Sequence, residues 1–397
     1  MHSTVTNLLE CLNDWTSSLD NKRFVKILYV DFAKAFDVVS IPKLMYKLKK
    51  FGITGLLYSC IESFLTNRVQ QVKVGNATSE SLSLVSGTPQ GSVLGPFLFL
   101  LYINDLPDVF IDEFRSKLFA DDLKSYNMFD YRVNPDSVQF ALDSLVSWSK
   151  SWQLQLSVPK CGSVLLKGKS PFEDTNELVI DNNPLAVFES VKDLGVILDN
   201  KLSFSLHIDG VVSKAKQRMF LIFKSFVSRD IGLLMFAYKA YILPIVDYCS
   251  TIWFPNKLDD IDRVEKVQRS FTKRLYGLKN MSYKDRLIAC SLPSLELRRL
   301  RTDIVLCFKI FHKFIALDFN DFFTLDVNCR TRGHNFKLNM PKSNTSLRLR
   351  FFSVRIVPVW NSLPHALVNC STVKSFKKGL NFHNLSNFLK RDFDNFS

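Results

Sequence analysis

Three carboxylates in the first third of the chain are placed where acidic side chains can do chemistry. Asp31 closes the apolar run Phe24-Val25-Lys26-Ile27-Leu28-Tyr29-Val30, which has the β-branched and aromatic make-up of a buried strand. Asp121 and Asp122 stand between Lys117-Leu118-Phe119-Ala120 and Leu123-Lys124-Ser125-Tyr126, two short strand candidates two residues apart, which is hairpin spacing. A strand-end carboxylate that must pack near a core is costly unless it is paired or holds a metal. If these strands are neighbours, the three carboxylates converge at one sheet edge, where repulsion raises their pKa values unless cations lie between them. Oxygen-only ligands suit Mg²⁺, which takes one or two carboxylates plus substrate phosphates. Two such ions about 4 Å apart activate an attacking hydroxyl and stabilise a leaving oxygen, the requirements of nucleotidyl transfer. Spacing alone does not separate this from an ordinary solvated turn.

The elements that would position these groups alternate between strand and helix. Ser40 and Pro42 open a helix whose Leu44, Met45 and Leu48 share one face and which stops at Gly52. A second helix is expected from Leu56 to Leu65, then a strand from Val69 to Val74 with a turn at Gly75-Asn76. An apolar helix is expected between Gly91 and Asp105, with Pro96 near its start, and another from Asp136 to Trp152. Several short strands fall between Cys161 and Leu198, and beyond Phe204 the pattern is mostly helical and basic.

Residue identity extends the case beyond spacing. The segments Val30-Asp31-Phe32-Ala33-Lys34-Ala35-Phe36-Asp37, Ser86-Gly87-Thr88-Pro89-Gln90-Gly91-Ser92 and Phe119-Ala120-Asp121-Asp122 resemble motifs A, B and C of reverse transcriptases, above all those of jockey-like retrotransposons without long terminal repeats. Their order agrees, with about 90 residues between the first Asp and the pair. Trp152 to Leu165 resembles motif D, and Val191 to Asp199 the motif E hairpin that follows it. Segments at Ile245–Trp253, Gln268–Phe271 and Val359–Pro364 resemble parts of the same elements after the palm.

The resemblance implies an α+β fold, a right-hand polymerase palm of antiparallel sheet backed by helices, followed by a helical thumb and a basic C-terminal region. It divides the chain into a fingers remnant at 1–23, palm at 24–203, thumb at 204–300 and basic region at 301–397. It gives Asp31, Asp121 and Asp122 the role of ligands to two Mg²⁺ ions, for which Mn²⁺ could substitute. It makes Phe32 a backbone-carbonyl contributor, Phe36 the gate that excludes a ribose 2′-hydroxyl, and Gln90 and Gly91 neighbours of the incoming nucleotide. Lys160 becomes a general acid for the departing pyrophosphate. Asp37 and Asp105 belong to the same strings but read as structural hydrogen-bonding groups. The implied partners are an RNA template, a DNA primer and dNTPs, with no membrane.

Charge and composition agree with a polyanionic partner. The chain of 397 residues carries a net charge of +14, and all of the surplus lies in its second half. Residues 1–200 hold 19 basic and 23 acidic side chains, residues 201–397 hold 33 and 15. The basic groups cluster as Lys214, Lys216 and Arg218; as Arg263, Lys266, Arg269, Lys273 and Arg274; and as Arg298, Arg299 and Arg301. No apolar run reaches the ~18 residues of a membrane span, no secretory signal opens the sequence, and the eight Cys form no Cys-x-x-Cys pair. Reduced thiols inside a cell are therefore expected, with nucleus and cytoplasm as the implied compartments. His2-Ser3-Thr4 resembles the tail of a fingers motif, while the triphosphate-binding segment before it and an endonuclease signature are missing, so a truncated copy is expected. The rival readings are a catalytically incomplete fragment that at most binds nucleic acid, and a pseudogene product with no role.

Overall fold

A computed structural model describes residues 3–110, 113–130, 135–168, 170, 177–326 and 333–394. His2 lies outside them. Contacts divide the chain into a unit of residues 22–189 and a unit combining 1–21 with 190–397.

The 22–189 unit is built on a five-stranded sheet. Its strands are β1 (Phe24–Val30), β2 (Phe114–Phe119), β3 (Asp122–Phe129), β4 (Gly162–Leu166) and β5 (Ala186–Val187), in the order β5-β4-β1-β3-β2. β1 runs antiparallel to both neighbours, from Phe24 opposite Phe129 to Val30 opposite Leu123, and from Val25 opposite Leu166 to Tyr29 opposite Gly162. Only β5 joins in parallel. β1 is buried on both faces apart from half-buried Tyr29, which is why it reads as a nearly continuous apolar run, broken by Lys26, rather than as an alternation.

Helices cover the sheet with the periodicity expected of them. In α2 (Ile41–Lys50), Ile41, Leu44, Met45 and Leu48 are buried; in α5 (Pro135–Trp152), Val138, Ala141, Leu142, Leu145 and Trp148 are buried. They share a core with Leu28 and Val30 of β1 and with Leu98, Phe99 and Tyr102 of α4 (Leu94–Ile103). α3 spans Gly55–Leu65. Ser40 stands at the N-cap of α2 without a side-chain capping bond, and Pro42 lies in the first turn.

Lys47 of α2 is enclosed among aromatic rings of this core. Lys47 is 4% exposed, its ammonium 2.5 Å from Asp105 and donating to the Tyr102 carbonyl. Its Nζ lies 3.7 Å from the ring centre of Trp152, with Tyr102 and Trp148 at 5.3 and 5.4 Å. Burial lowers the Lys47 pKa against the opposing pull of Asp105, and burial pushes the Tyr102 hydroxyl up to about 12. Trp148 Nε1 also donates to Asp105, at 3.3 Å. Asp105 is thus the structural acceptor that its place in the sequence suggests.

Three boundaries differ from the sequence reading. The strand expected over Val69–Val74 is two pieces, Arg68–Gln70 paired with Leu82–Leu84, and Lys73–Val74 paired with Ala77–Thr78 around Gly75-Asn76. The ladder breaks where Val72 N–H donates instead to the Ser79 hydroxyl. The apolar helix begins at Leu94 rather than Gly91, whose φ of +79° is incompatible with a right-handed helix. The turn between β2 and β3 is Ala120-Asp121, with Asp122 already paired to Phe119. Ala120 takes the left-handed conformation, φ +55°, that the first turn position requires.

The second unit joins α1 (Thr4–Asp20) to the helices after Glu189. Ser3 and Thr6 form a capping box at its start. At its end Asp20 accepts from the backbone of Asn344 and Thr345 at 2.9 and 2.7 Å. A hairpin of Ser190–Asp193 and Val196–Asp199 precedes a helix at Ser205–Ser225, and further helices span Leu258–Thr272, Leu295–Phe311 and Val373–Leu380. In contact terms residues 1–21 and 190–203 both belong to this unit. The surplus of Phe has a place here: Phe308 stacks on Phe376 at 4.0 Å, and Phe311 packs on Trp360 at 5.4 Å.

Removing one partner from the Lys47 cage leaves a buried charge. Asp105→Ala should lower unfolding free energy by about 2–3 kcal/mol, below the range for a fully buried pair because Asp105 keeps contact with water. Lys47→Met, which removes the charge and keeps the packing, should cost about 1 kcal/mol or less. Urea unfolding monitored by tryptophan fluorescence ranks the two; the reverse order would contradict the cage.

Candidate active site

Register brings two of the carboxylates together. Val30 pairs with Leu123, so Asp31, one residue on, and Asp122, one residue back, occupy facing ends of adjacent strands. Asp121 is the next residue out, in the turn. Asp31 and Asp121 are half-buried and Asp122 is exposed, so a charged ligand can reach all three from solvent.

Asp31 is held by the segment before β4. Its carbonyl accepts from Ser157 N–H at 2.8 Å, and its N–H donates to the buried Cys161 sulfur at 3.4 Å. Burial pushes the Cys161 thiol pKa up, which suits a structural thiol better than a nucleophile. Phe32 forms an isolated bridge to Leu156, and Ala33 N–H donates to the Gln155 carbonyl at 2.8 Å. These bonds put Lys160 beside the carboxylate, its ammonium 3.3 Å from Asp31 Oδ1 with both groups in contact with water.

Phe32 is buried, its ring 6.3 Å from that of Trp148. Its side chain serves the core, which leaves only its backbone for any contact with a ligand. Phe36 is half-buried and stacks on Phe99 with ring centres 4.2 Å apart.

The Ser86–Gly91 loop is zipped onto the segment after Asp31. Thr88 N–H donates to the Phe36 carbonyl at 2.9 Å, Gly87 N–H to the Val39 carbonyl at 2.8 Å, and Ser86 Oγ to the Asp37 carbonyl at 2.9 Å. Gln90 Nε2 donates to Asp37 Oδ1 at 2.7 Å, so Asp37 has the structural role its position suggests, and Gln90 is oriented by it. Gly91 has φ +79° and open space where a Cβ would lie. Backbone conformation requires glycine there, and an approaching ligand would find no side chain.

Two residues that hold this loop were not singled out from sequence. Gly87 has φ +80°, and a Cβ on it would come within 2.7 Å of the Asp37 carbonyl oxygen. Arg68 donates to the carbonyls of Ser86 and Gly87 at 2.9 and 2.5 Å. Glycine ahead of Thr-Pro is a turn signal that could have marked Gly87; nothing local marks Arg68.

Among the described residues, no three His, Cys, Asp or Glu side chains meet closely enough to enclose a metal ion. The donor set nevertheless suits Mg²⁺, which needs few protein ligands and completes its octahedron with water and phosphate oxygens. Asp31 and Asp122 at facing strand ends, with Asp121 adjoining, are oxygen donors of that kind.

The basic runs of the second unit divide into bound and available groups. Arg263 lies 2.5 Å from Asp260, Arg298 lies 2.6 Å from Asp247, and Arg299 is 2% exposed with its guanidinium 5.1 Å from the Trp253 ring. Burial lowers the Arg299 pKa, countered by Glu265 and Asp247. Lys214, Lys216, Arg218, Lys266, Arg269, Lys273 and Arg274 are exposed.

The reverse transcriptase (RNA-dependent DNA polymerase) family model matches residues 3–221, more than half of the chain, and the chain belongs to that family. Among relatives, it is 26% identical over 292 residues to the RNA-directed DNA polymerase from mobile element jockey of Drosophila melanogaster, covering 70% of this chain and 31% of that protein. It is 28% identical over 282 residues to the probable RNA-directed DNA polymerase from transposon BS of the same species, covering 67% and 30%. The chain therefore spans about three-tenths of the length of these relatives. A solved telomerase from Candida tropicalis superposes with a TM-score of 0.39 at 11% identity, over 95% of this chain and 52% of that one, a likeness too slight to bear on function. No helix among the described residues is long and apolar enough to cross a membrane.

Gly87 and Gly91 separate steric from conformational need. Gly91→Ala should cost about 1–2 kcal/mol, the penalty for a left-handed backbone, while Gly87→Ala adds a clash with Asp37 and should cost clearly more. Urea midpoints of the two variants test this, and equal losses would contradict the zipped loop.

Proposed function

We propose that the chain carries the catalytic core of an RNA-directed DNA polymerase of a non-LTR retrotransposon, adding dNTPs to a DNA primer 3′-hydroxyl on an RNA template. The observation that carries this reading is the β1–β3 register, which sets Asp31 beside Asp122 with the Lys160 ammonium 3.3 Å from Asp31. Family membership supports it.

In this reading Asp31, Asp121 and Asp122 hold two Mg²⁺ ions, with Mn²⁺ as a substitute. When bound, the ions supply a lowered pKa at the primer hydroxyl and charge stabilisation at the leaving pyrophosphate. Asp31 also orients Lys160, whose ammonium is placed to give its proton to that leaving group. The Phe32 carbonyl lies one residue beyond the Asp31 carboxylate, the position from which it contributes to the site. Phe36, braced by Phe99, acts as the sugar gate, because a ring fixed by stacking cannot move aside for a 2′-hydroxyl. Gln90, oriented by Asp37, and side-chain-free Gly91 border the incoming nucleotide. Residues 24–203 act as palm, 204–300 as thumb and 301–397 as a basic region, and exposed lysines and arginines of the helices after the palm grip the sugar-phosphate backbone. Binding of that kind weakens steeply with salt. Priming at a genomic nick would place the work in the nucleus. The fragment reading, binding nucleic acid without catalysis, shares this grip and lacks the first half of the mechanism.

Primer extension on an RNA template with Mg²⁺ separates the two. Asp121→Ala should lower incorporation by at least about a hundredfold, the scale set by losing a preorganised electrostatic group. Equal incorporation by both proteins, or none by either, would reject the polymerase reading. Phe36→Val should raise ribonucleotide relative to deoxynucleotide incorporation; an unchanged ratio would remove Phe36 from the gate.

A further inference from the structure

A cavity of about 680 Å³ lies within the second unit, lined on one side by the Leu295–Phe311 helix. Arg298, Arg301 and Lys309 reach it from that helix, and Lys377 from the Val373–Leu380 helix. Among the described residues Asp247 is the only carboxylate lining it, and Arg298 Nε already binds that group at 2.6 Å.

The remaining cations are short of acceptors. Arg301 donates through Nη2 to the Asn381 carbonyl at 3.1 Å, and its charge is opposed by that of Asp394, which does not line the cavity. Lys309 and Lys377 form no ion pair among the described residues. Three cations around one space repel each other until an anion enters. The first turn of α1 faces the same cavity through Ser3, Val5 and Thr6, so the positive end of a 17-residue helix adds to the field.

The geometry points to a binding site for a strand carrying at least two phosphates, and we assign it to consecutive backbone phosphates of a nucleic acid. Arg301 and Lys309 are separated by eight positions, about 12 Å along a helix, too far for one phosphate to bridge. The planar guanidinium of Arg301 suits phosphate oxygens, and a volume of this size admits a nucleotide-sized ligand. The choice of a nucleic acid as the source of the phosphates rests on the function proposed above; the anion site itself does not. A free polyphosphate offers the same chemistry.

The test uses the full chain and a fluorescein-labelled 12-nucleotide RNA, with binding read by anisotropy as salt is varied and with inorganic tripolyphosphate as competitor. The triple variant Arg301→Gln/Lys309→Gln/Lys377→Gln should bind RNA about 10- to 100-fold more weakly, with the salt slope reduced by about two. The double variant Lys309→Gln/Lys377→Gln, which leaves half-buried Arg301 in place, guards against misfolding and should show a smaller loss in the same direction. Wild-type affinity and slope in both variants would overturn the site. Loss of tripolyphosphate binding with RNA binding intact would overturn the nucleic acid as its source. Primer extension is measured separately: if Asp121→Ala extends like wild type while the cavity variants lose RNA, the polymerase reading fails and the phosphate site stands.

Discussion

The pairing of β1 with β3 is the constraint on which the rest of the site depends. Side chains alternate along a strand, so a slip of one residue would send every β1 side chain to the opposite face of the sheet. Leu28 and Val30 of β1 and Leu123 of β3 share one core with α2, α4 and α5, which makes such a slip costly. Packing fixes the register, and the register fixes Asp31 beside Asp122. Like charges at facing strand ends oppose that arrangement, against which the Lys160 ammonium stands 3.3 Å from Asp31. An apolar core thus holds carboxylates where their own repulsion would not leave them.

The same division of labour recurs around the site. Lys160 reaches Asp31 because Ser157, Cys161 and Leu156 tie the approach to β4 onto the residues after β1. The Ser86–Gly91 loop is positioned by backbone bonds to residues 36–40 and by Arg68, leaving Gln90 and Gly91 exposed on its outer side. Phe99 braces Phe36 from the apolar helix. In each case the residue proposed to meet substrate is supported by a neighbour that does not.

Much of this was legible in the sequence where one physical requirement dominates. A strand buried on both faces is mostly apolar, and β1, with Lys26 its one charged residue, begins and ends where that composition does. α5 was legible because its buried residues recur at helical spacing. Legibility failed where several residues satisfy a local rule equally well. Asp121 and Asp122 are both turn formers, and pairing of Asp122 with Phe119 moves the turn back to Ala120-Asp121. Val69–Val74 has the valine content of one strand, yet its side chains are exposed and no core fixes it. Arg298 and Arg299 read as part of a solvent-facing grip, but tertiary neighbours claim both: Asp247 binds the first, and burial beside Trp253 removes the second from solvent. Such partners lie about fifty residues away in the chain, beyond any local signal.

The most direct measurement of the carboxylate geometry is cleavage of the chain by hydroxyl radicals generated from Fe²⁺ bound in place of Mg²⁺. Radicals cut only the backbone close to the bound ion, so the cut sites map its ligands. The β1–β3 register predicts cuts near Asp31 and near Asp121-Asp122 in the same molecule, both suppressed by excess Mg²⁺ and by Asp31→Asn. Cuts at only one of the two segments, or at neither, would contradict a shared cation site at the strand ends.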